Sequence, residues 1–337
     1  MDIFSTGVLV RVVRELPQPA PFILNSFFRD EQTETSEEIH FDVDTSKPRL
    51  APFVSPLLPG HVVESRGHRT ATFKPAYVKD KRVFDPGRPL KRAIGERIGG
   101  QLSPEQRIQA ALARDLQDQL DMLTRRQEVM GIEALRSGKI TVAGDGYPSV
   151  VVDFDRHADL TVALTTTDRW GETGVKPLAL LEAWALLVTK HSGATPTQVV
   201  MDLKAWQIFH ADPDVQKLLD RFRGSDRLVP TVVGQGGSYK GNIGNFDIWV
   251  YSGWYTNPVN GVLTPFLPDH TVIMTSPELE GARAYGAIRD EEAGYQAMPY
   301  FPKSWLEKDP SARMLLMQSA PLPVPYRVNA SFCATVR

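Results

Sequence analysis

The glycine-rich run Gly234-Gln235-Gly236-Gly237-Ser238-Tyr239-Lys240-Gly241 is where phosphate chemistry could sit in this chain. A phosphate-binding loop needs Gly-x-x-x-x-Gly-Lys followed by Ser or Thr, so that backbone N–H groups and the lysine surround the anion. That frame is missing, and the run reads as a flexible loop. Ser238 also misses the Gly-x-Ser-x-Gly elbow of a hydrolase, because Lys240 stands where the last glycine belongs. Asp153, Asp155, His157 and Asp159 alternate as metal ligands could. A calcium loop also needs a glycine turn and a distal glutamate, and the solvent face of a strand shows the same alternation, so no metal is assigned. His61 and Glu64 lack the His-Glu-x-x-His frame of a zinc protease. Cys333 stands five residues from the end, at a terminus expected to fray, with nothing nearby in sequence to lower its pKa. The seven histidines are scattered and no motif joins any of them to a nucleophile. No catalytic residue, cofactor or metal is therefore expected.

The elements that would position such groups come next. The 337 residues suffice for two domains or one elaborated domain, and 42% apolar residues can build a sizeable core. Net charge is −2, from 38 basic and 40 acidic residues, which excludes a dedicated nucleic-acid binder needing a strong basic surplus. A single cysteine allows no intrachain disulfide. Neither a charged-then-apolar leader nor a bilayer-length apolar run is visible, so a soluble, cytosolic chain is expected.

Charge is segregated. Asp30, Glu31, Glu34, Glu37, Glu38, Asp42 and Asp44 form an acidic run with no Lys or Arg inside it. The stretch 47–97 is rich in Pro and Gly, and between Arg66 and Arg92 it is basic, with Arg66, Arg69, Lys74, Lys79, Lys81, Arg82, Arg88, Lys91 and Arg92 against only Asp80 and Asp85. A loop this long is uncommon in a compact domain unless it works on something outside it. Val62-Val63, Thr70–Phe73 and Tyr77–Lys79 suggest short strands about the turn Ser65-Arg66-Gly67-His68. A bare two-stranded ribbon is marginal, so a partner surface is expected. The loop reads as a solvated insertion, a nucleic-acid contact or an intersubunit arm, and the acidic run favours the last. The interface candidates are then Arg66, Arg69, Lys74, Lys79, Lys81 and Arg82 against Glu34, Glu37, Glu38 and Asp42 of another copy. Residues 1–50 look like an arm. Phe22-Ile23-Leu24 and Phe27-Phe28 pack either on a neighbouring element or as a docked strand of their own domain.

The clearest element is a helix. Ser103-Pro104-Glu105-Gln106 is a capping-box start, Ile108, Leu112, Leu116, Leu120, Leu123 and Met130 make one stripe, and Arg136 with Gly138 ends it. About 33 residues give a rod of roughly 50 Å. Gly131 interrupts the stripe, which favours a helix laid on a sheet over a coiled coil. Strands are expected around the turn Gly144-Asp145-Gly146, at Gln198–Met201, Phe246–Tyr251 and Thr271–Thr275, with a turn at Asn260-Gly261. Helices are expected from Pro177 to His191, and from Asp212-Pro213 to Arg221-Phe222-Arg223-Gly224.

Collinear motifs then carry a resemblance. Phe53-Val54-Ser55-Pro56, Ser65-Arg66-Gly67 and Phe73-Lys74-Pro75-Ala76-Tyr77-Val78-Lys79 look like the extended loop of the lambda-type major capsid proteins of tailed bacteriophages, which have the Hong Kong 97-type fold. Arg223-Gly224-Ser225, Ser238-Tyr239-Lys240-Gly241, Val250-Tyr251-Ser252-Gly253 and Phe266-Leu267-Pro268-Asp269 resemble the central domain. Tyr285-Gly286, Tyr300-Phe301-Pro302-Lys303-Ser304-Trp305, Asp309-Pro310-Ser311-Ala312-Arg313 and Gln318-Ser319-Ala320-Pro321-Leu322 continue the likeness. The chain departs from the family around Asp226 to Gln235 and at its short tail.

The resemblance implies an α+β Hong Kong 97-like capsid fold: an N-terminal arm over 1–49 and an extended β-hairpin loop over 50–97. A peripheral domain over 98–160 carries the spine helix 104–136, and an α/β axial domain covers 161–298. The chain then returns to the peripheral domain over 299–317, with a C-terminal segment over 318–337. It also implies a virion protein that assembles in the host cytoplasm into hexamers and pentamers of an icosahedral head around double-stranded DNA. Scaffold and portal proteins are expected partners, the scaffold as a separate chain, and a trimeric decoration protein near the threefold positions is a further one. DNA would touch the inner face non-specifically. The lambda-type likeness does not imply crosslinking through Lys74, Lys79 or Lys81. A nanocompartment shell of the same fold, or an enzyme with a mobile loop, are the alternatives.

Overall fold

The computed structural model describes residues 3–36, 38–44, 50–51, 53, 68–73, 75, 77–84, 87, 96, 102–144, 147–219, 236–308 and 312–337. Among the sequence expectations, Glu37, Arg66, Lys74, His61, Glu64, Val62-Val63, the turn at 65–67 and Arg221–Gly224 lie outside the described residues.

A six-stranded mixed sheet forms the centre, in the order Thr161–Ala163, Ser331–Thr335, Thr271–Thr275, Gln198–Met201, Phe246–Tyr251, Gly237–Ile243. Its four inner strands are largely apolar on both faces, as the part of a sheet covered twice must be. The period of two sends Val199, Met201, Val272, Met274 and Phe332 to one side. There they pack on Leu181, Trp184 and Val188 of the helix Pro177–Ser192 and Phe209 of the helix Leu203–Ala211. The intervening Val200, Ile273 and Cys333 face the other core, with Phe22, Phe28, Ile132 and Leu135.

The helix Pro104–Ser137 starts and stops as its ends dictate. Ser103 Oγ accepts from Gln106 N, Gln106 Oε1 accepts from Ser103 N, and Gly138 closes the helix at φ 68. Its stripe serves two cores. Leu112, Leu116 and Leu120 pack on Leu9, Val13, Phe84, Leu315 and Met317, while Ile132 and Leu135 enter the central core. Gly131 has a steric reason, because a Cβ there would come within 3.3 Å of Leu24 and Phe28. The apolar patch at Val8–Val13 lies in an amphipathic helix, Thr6–Glu15, and the Asp202 side chain caps the helix Leu203–Ala211, which the sequence reading missed.

Several expectations are corrected. His68–Phe73 pairs with Ile39–Asp44, and Val78–Phe84 joins a three-stranded sheet with Ala312–Ser319 and Phe301–Glu307. Of the two alternatives for the arm aromatics, docking on their own chain is the one found, with Phe22–Phe27 as a short helix and Phe28–Thr33 parallel to Gly281–Tyr285. The helix begun at Pro213 ends at Leu218. Cys333 is buried in a strand held between two others, and burial pushes its thiol up to about 11. The terminus is pinned: Val336 N donates to His270 O, and Val336 O accepts from Trp170 N.

Candidate assembly surfaces

The basic strand Val78–Phe84 alternates because one face lies on the spine helix and the other meets solvent. Lys79 and Lys81 point outward, with Lys81 Nζ 5.3 Å from the ring centroid of Trp305 and Lys79 Nζ 5.4 Å from that of Tyr77. Arg82 turns inward. It donates to Asp80 Oδ2 at 2.9 Å and to Asp118 Oδ2 at 2.7 Å on the spine helix. Burial works against its charge, but these two carboxylates hold its pKa above the ordinary value. Of the three basic candidates on this strand, Lys79 and Lys81 are therefore presented to solvent and Arg82 is engaged within the subunit.

The acidic segment meets the basic one inside a single chain. Asp42 stands opposite Thr70 and Val43 opposite Arg69 in the antiparallel ribbon. Glu34 N donates to Tyr285 O at 2.9 Å, and the Glu38 side chain is exposed. Backbone pairing inside one chain thus places strand 39–44 beside strand 68–73.

The seat of the arm is the group that sequence reasoning missed. Glu128, on the spine helix, is 2% exposed. Its Oε1 accepts from Ile23 N at 2.8 Å and its Oε2 from Leu24 N at 3.0 Å. Tyr251 OH also donates to Oε1 at 3.0 Å. The carboxylate does for Phe22–Phe27 what an N-cap side chain does, from another element. Burial raises the Glu128 pKa against the opposing pull of these donors. Phe22 packs 5.4 Å from the rings of both Trp249 and Tyr251. The sequence carried a signal: Glu128 falls eight residues after Leu120 and four before Ile132, on the buried stripe.

At the other end of the spine helix, beside the Gly138 cap, Arg156 satisfies two terminal carbonyls. Its guanidinium donates to Leu135 O and Arg136 O at 2.5 Å each, and to Thr161 Oγ1 at 2.6 Å. Burial lowers its pKa to about 10, so it stays charged at neutral pH. One residue thereby joins the spine helix to the central sheet.

The alternating set Asp153 to Asp159 diverges. Asp153 pairs with Lys139 at 2.7 Å, Asp155 adopts φ 60 and its N–H donates to Asp153 Oδ1, and only His157 and Asp159 come together. A groove of about 610 Å³ lies between the spine helix and the hairpin 254–265, lined by Asp118, Met122, Arg126, Trp254 and Leu263 among others. Trp254, Val259, Val262 and Leu263 of that hairpin are exposed.

A long helix crossing two cores, a thin three-stranded sheet beside it and a doubly covered central sheet define a Hong Kong 97-type capsid fold. The crystal structure of a putative capsid protein from a prophage of E. coli CFT073 superposes with a TM-score of 0.80 at 22% identity, covering 98% of this chain and 99% of that one. A phage-related protein from Bordetella bronchiseptica RB50 superposes at 0.57 with 12% identity, covering 97% and 96%.

The model of the phage major capsid protein E family matches residues 5–336, and the chain belongs to that family. It is 30% identical over 332 residues to the major capsid protein of Escherichia phage lambda, covering 96% of each chain. The major capsid protein of Escherichia phage N15 is equally similar, and that of Enterobacteria phage P21 is 28% identical over 331 residues. The resemblance read from the loop and central motifs is the one these comparisons return.

Proposed function

We propose that this chain is the main subunit of an icosahedral phage head, associating with itself into hexamers and pentamers around double-stranded DNA. The full-length family match to major capsid proteins carries this reading. The architecture supports it. Three ribbons among the described residues, 39–44 with 68–73, 139–144 with 147–153, and 254–256 with 263–265, have only two strands each. Such ribbons are marginal in water and gain stability when a neighbour covers them. In this reading residues 98–160 and 299–317 form the peripheral unit, 161–298 the axial unit with 318–337 returning to it, and 1–49 and 50–97 reach over adjoining copies. The near-neutral charge suits a container whose wall releases its DNA. Scaffold and portal proteins would guide closure in the host cytoplasm, and a trimeric decoration protein would sit at the threefold positions.

Electron microscopy of the expressed chain, alone and with its scaffold, tests the reading. Shells, capsomers or tubes are expected. A monomer that stays monodisperse at high concentration, with or without scaffold, overturns it.

A further inference from the structure

We propose that His157, Asp159 and His191 form a binding site for one divalent cation of the zinc type, at the joint between the hairpin 139–153 and the helix Pro177–Ser192. His157 and Asp159 sit on the turn that follows the strand Tyr147–Asp153, and His191 sits in the last turn of the helix. Their candidate ligand atoms all lie within 4.8 Å of one another.

The distances suit a single ion. Asp159 Oδ2 is 3.2 Å from His191 Nε2 and 3.6 Å from His157 Nδ1. Metal bonds of about 2.0–2.1 Å at a tetrahedral angle place ligand atoms about 3.3–3.4 Å apart, between those two values. The imidazole rings stack with centroids 3.8 Å apart and planes at 27°, so binding requires the exposed His157 ring to rotate until its in-plane lone pair meets that of His191 at the ion.

The contacts at the site are few and long. Asp159 N–H donates to His157 Nδ1 at 3.3 Å, and His191 Nε2 lies 3.2 Å from Asp159 Oδ2. A metal would replace both contacts.

The surroundings hold the ligands and admit the ion. The His191 side chain is 9% exposed and so held by packing, whereas Asp159 is 55% exposed and leaves an open coordination position to water. His157 N donates to Asn329 Oδ1 at 2.9 Å, which fixes the turn. The neighbouring Arg156 guanidinium is directed to Leu135 O, Arg136 O and Thr161 Oγ1. The partial negative charge of a helix C-terminus favours a cation beside His191. Two imidazoles and one carboxylate suit Zn²⁺, Co²⁺ or Ni²⁺, while Ca²⁺ and Mg²⁺ require an all-oxygen shell. Bound there, the ion would staple the connection 154–160 to the helix that covers the central sheet.

The test uses the full chain stripped with a chelator and titrated with ZnCl2 and CoCl2. Uptake of one ion per chain is expected, with a rise in melting temperature and a Co²⁺ visible spectrum of nitrogen–oxygen ligation. Asp159→Asn, a near-isosteric change, should weaken uptake at least tenfold. The double variant His157→Asn/His191→Asn should abolish both uptake and the thermal shift. Circular dichroism and the metal-free melting temperature of each variant report folding separately. Absence of saturable Zn²⁺ uptake by the unmodified chain overturns the proposal. So does unchanged affinity in Asp159→Asn and in the double variant, which would place the ion on other surface histidines.

Discussion

Tyr251 donates its phenolic hydrogen to Oε1 of Glu128 at 3.0 Å, and this contact ties the central sheet to the spine helix. The same carboxylate receives the backbone N–H groups of Ile23 and Leu24, so one buried side chain joins arm, helix and sheet. A carboxyl kept from water is tolerated only when its lone pairs are met by donors, and here three donors meet them.

Glu128→Ala should destabilise the isolated subunit by about 2–4 kcal/mol, because it leaves two backbone donors and a hydroxyl without their acceptor. Tyr251→Phe removes one of those bonds and should cost about 1 kcal/mol. Urea denaturation of the unassembled chain measures both. A Glu128→Ala subunit as stable as its parent would show that the arm is held by apolar packing alone.

The pH dependence of that seat has a definite sign. Burial raises the folded-state pKa of Glu128 above its unfolded value, so the folded chain binds this proton more tightly. Its contribution is fully present below the unfolded pKa and is lost as pH rises through the folded one. Stability of the parent relative to Glu128→Gln should therefore increase as pH is lowered from neutrality into the ordinary glutamate range. A difference that stays flat, or that runs the other way, contradicts the assignment.

Arg156→Ala should cost about 1–3 kcal/mol, since the carbonyls of Leu135 and Arg136 lose their donor at a partly buried helix end. Arg156→Lys should fall between, because a single ammonium cannot reproduce the planar fork. Hydrogen exchange should locate the loss at the last turn of the spine helix and around Thr161.

The three described basic residues of the loop strand should separate by experiment. Arg82→Glu places a carboxylate beside Asp80 and Asp118 and should destabilise the subunit by about 1–2 kcal/mol, allowing for its partial exposure. Lys79→Glu with Lys81→Glu should leave the fold within about 0.5 kcal/mol and lower the yield of shells. Full shell yield from the lysine pair would remove this face from the assembly contacts, and an unaffected fold in Arg82→Glu would contradict its inward role.

Gly281→Ala should be among the costlier single methyl additions. The new Cβ would lie 2.2 Å from the Phe27 carbonyl oxygen and 2.9 Å from the Phe28 ring. Backbone must move, and about 2–3 kcal/mol of stability should be lost. An unchanged melting temperature would mean that the strand Phe28–Thr33 is not seated against Gly281–Tyr285.

Sequence by itself determined the elements whose instructions are local. The spine helix follows from Ser103, Gln106 and Gly138, because a cap acts on residues three or four positions away. The strands Gln198–Met201, Phe246–Tyr251 and Thr271–Thr275 follow from continuous apolar runs, and the lambda-type motifs carried the family. Tertiary structure alone decided what distant residues do to one another. Glu128 lies more than 100 residues from Ile23 and from Tyr251, and His191 lies 32 residues from Asp159. The strand Ile39–Asp44 pairs with His68–Phe73, a register between segments roughly thirty residues apart that no local pattern specifies. Cys333 stands near the end of the chain yet lies in the sheet, because burial follows strand order and not distance from a terminus. Capping and periodicity act over a few residues along the chain, whereas desolvation acts through whatever the fold packs nearby.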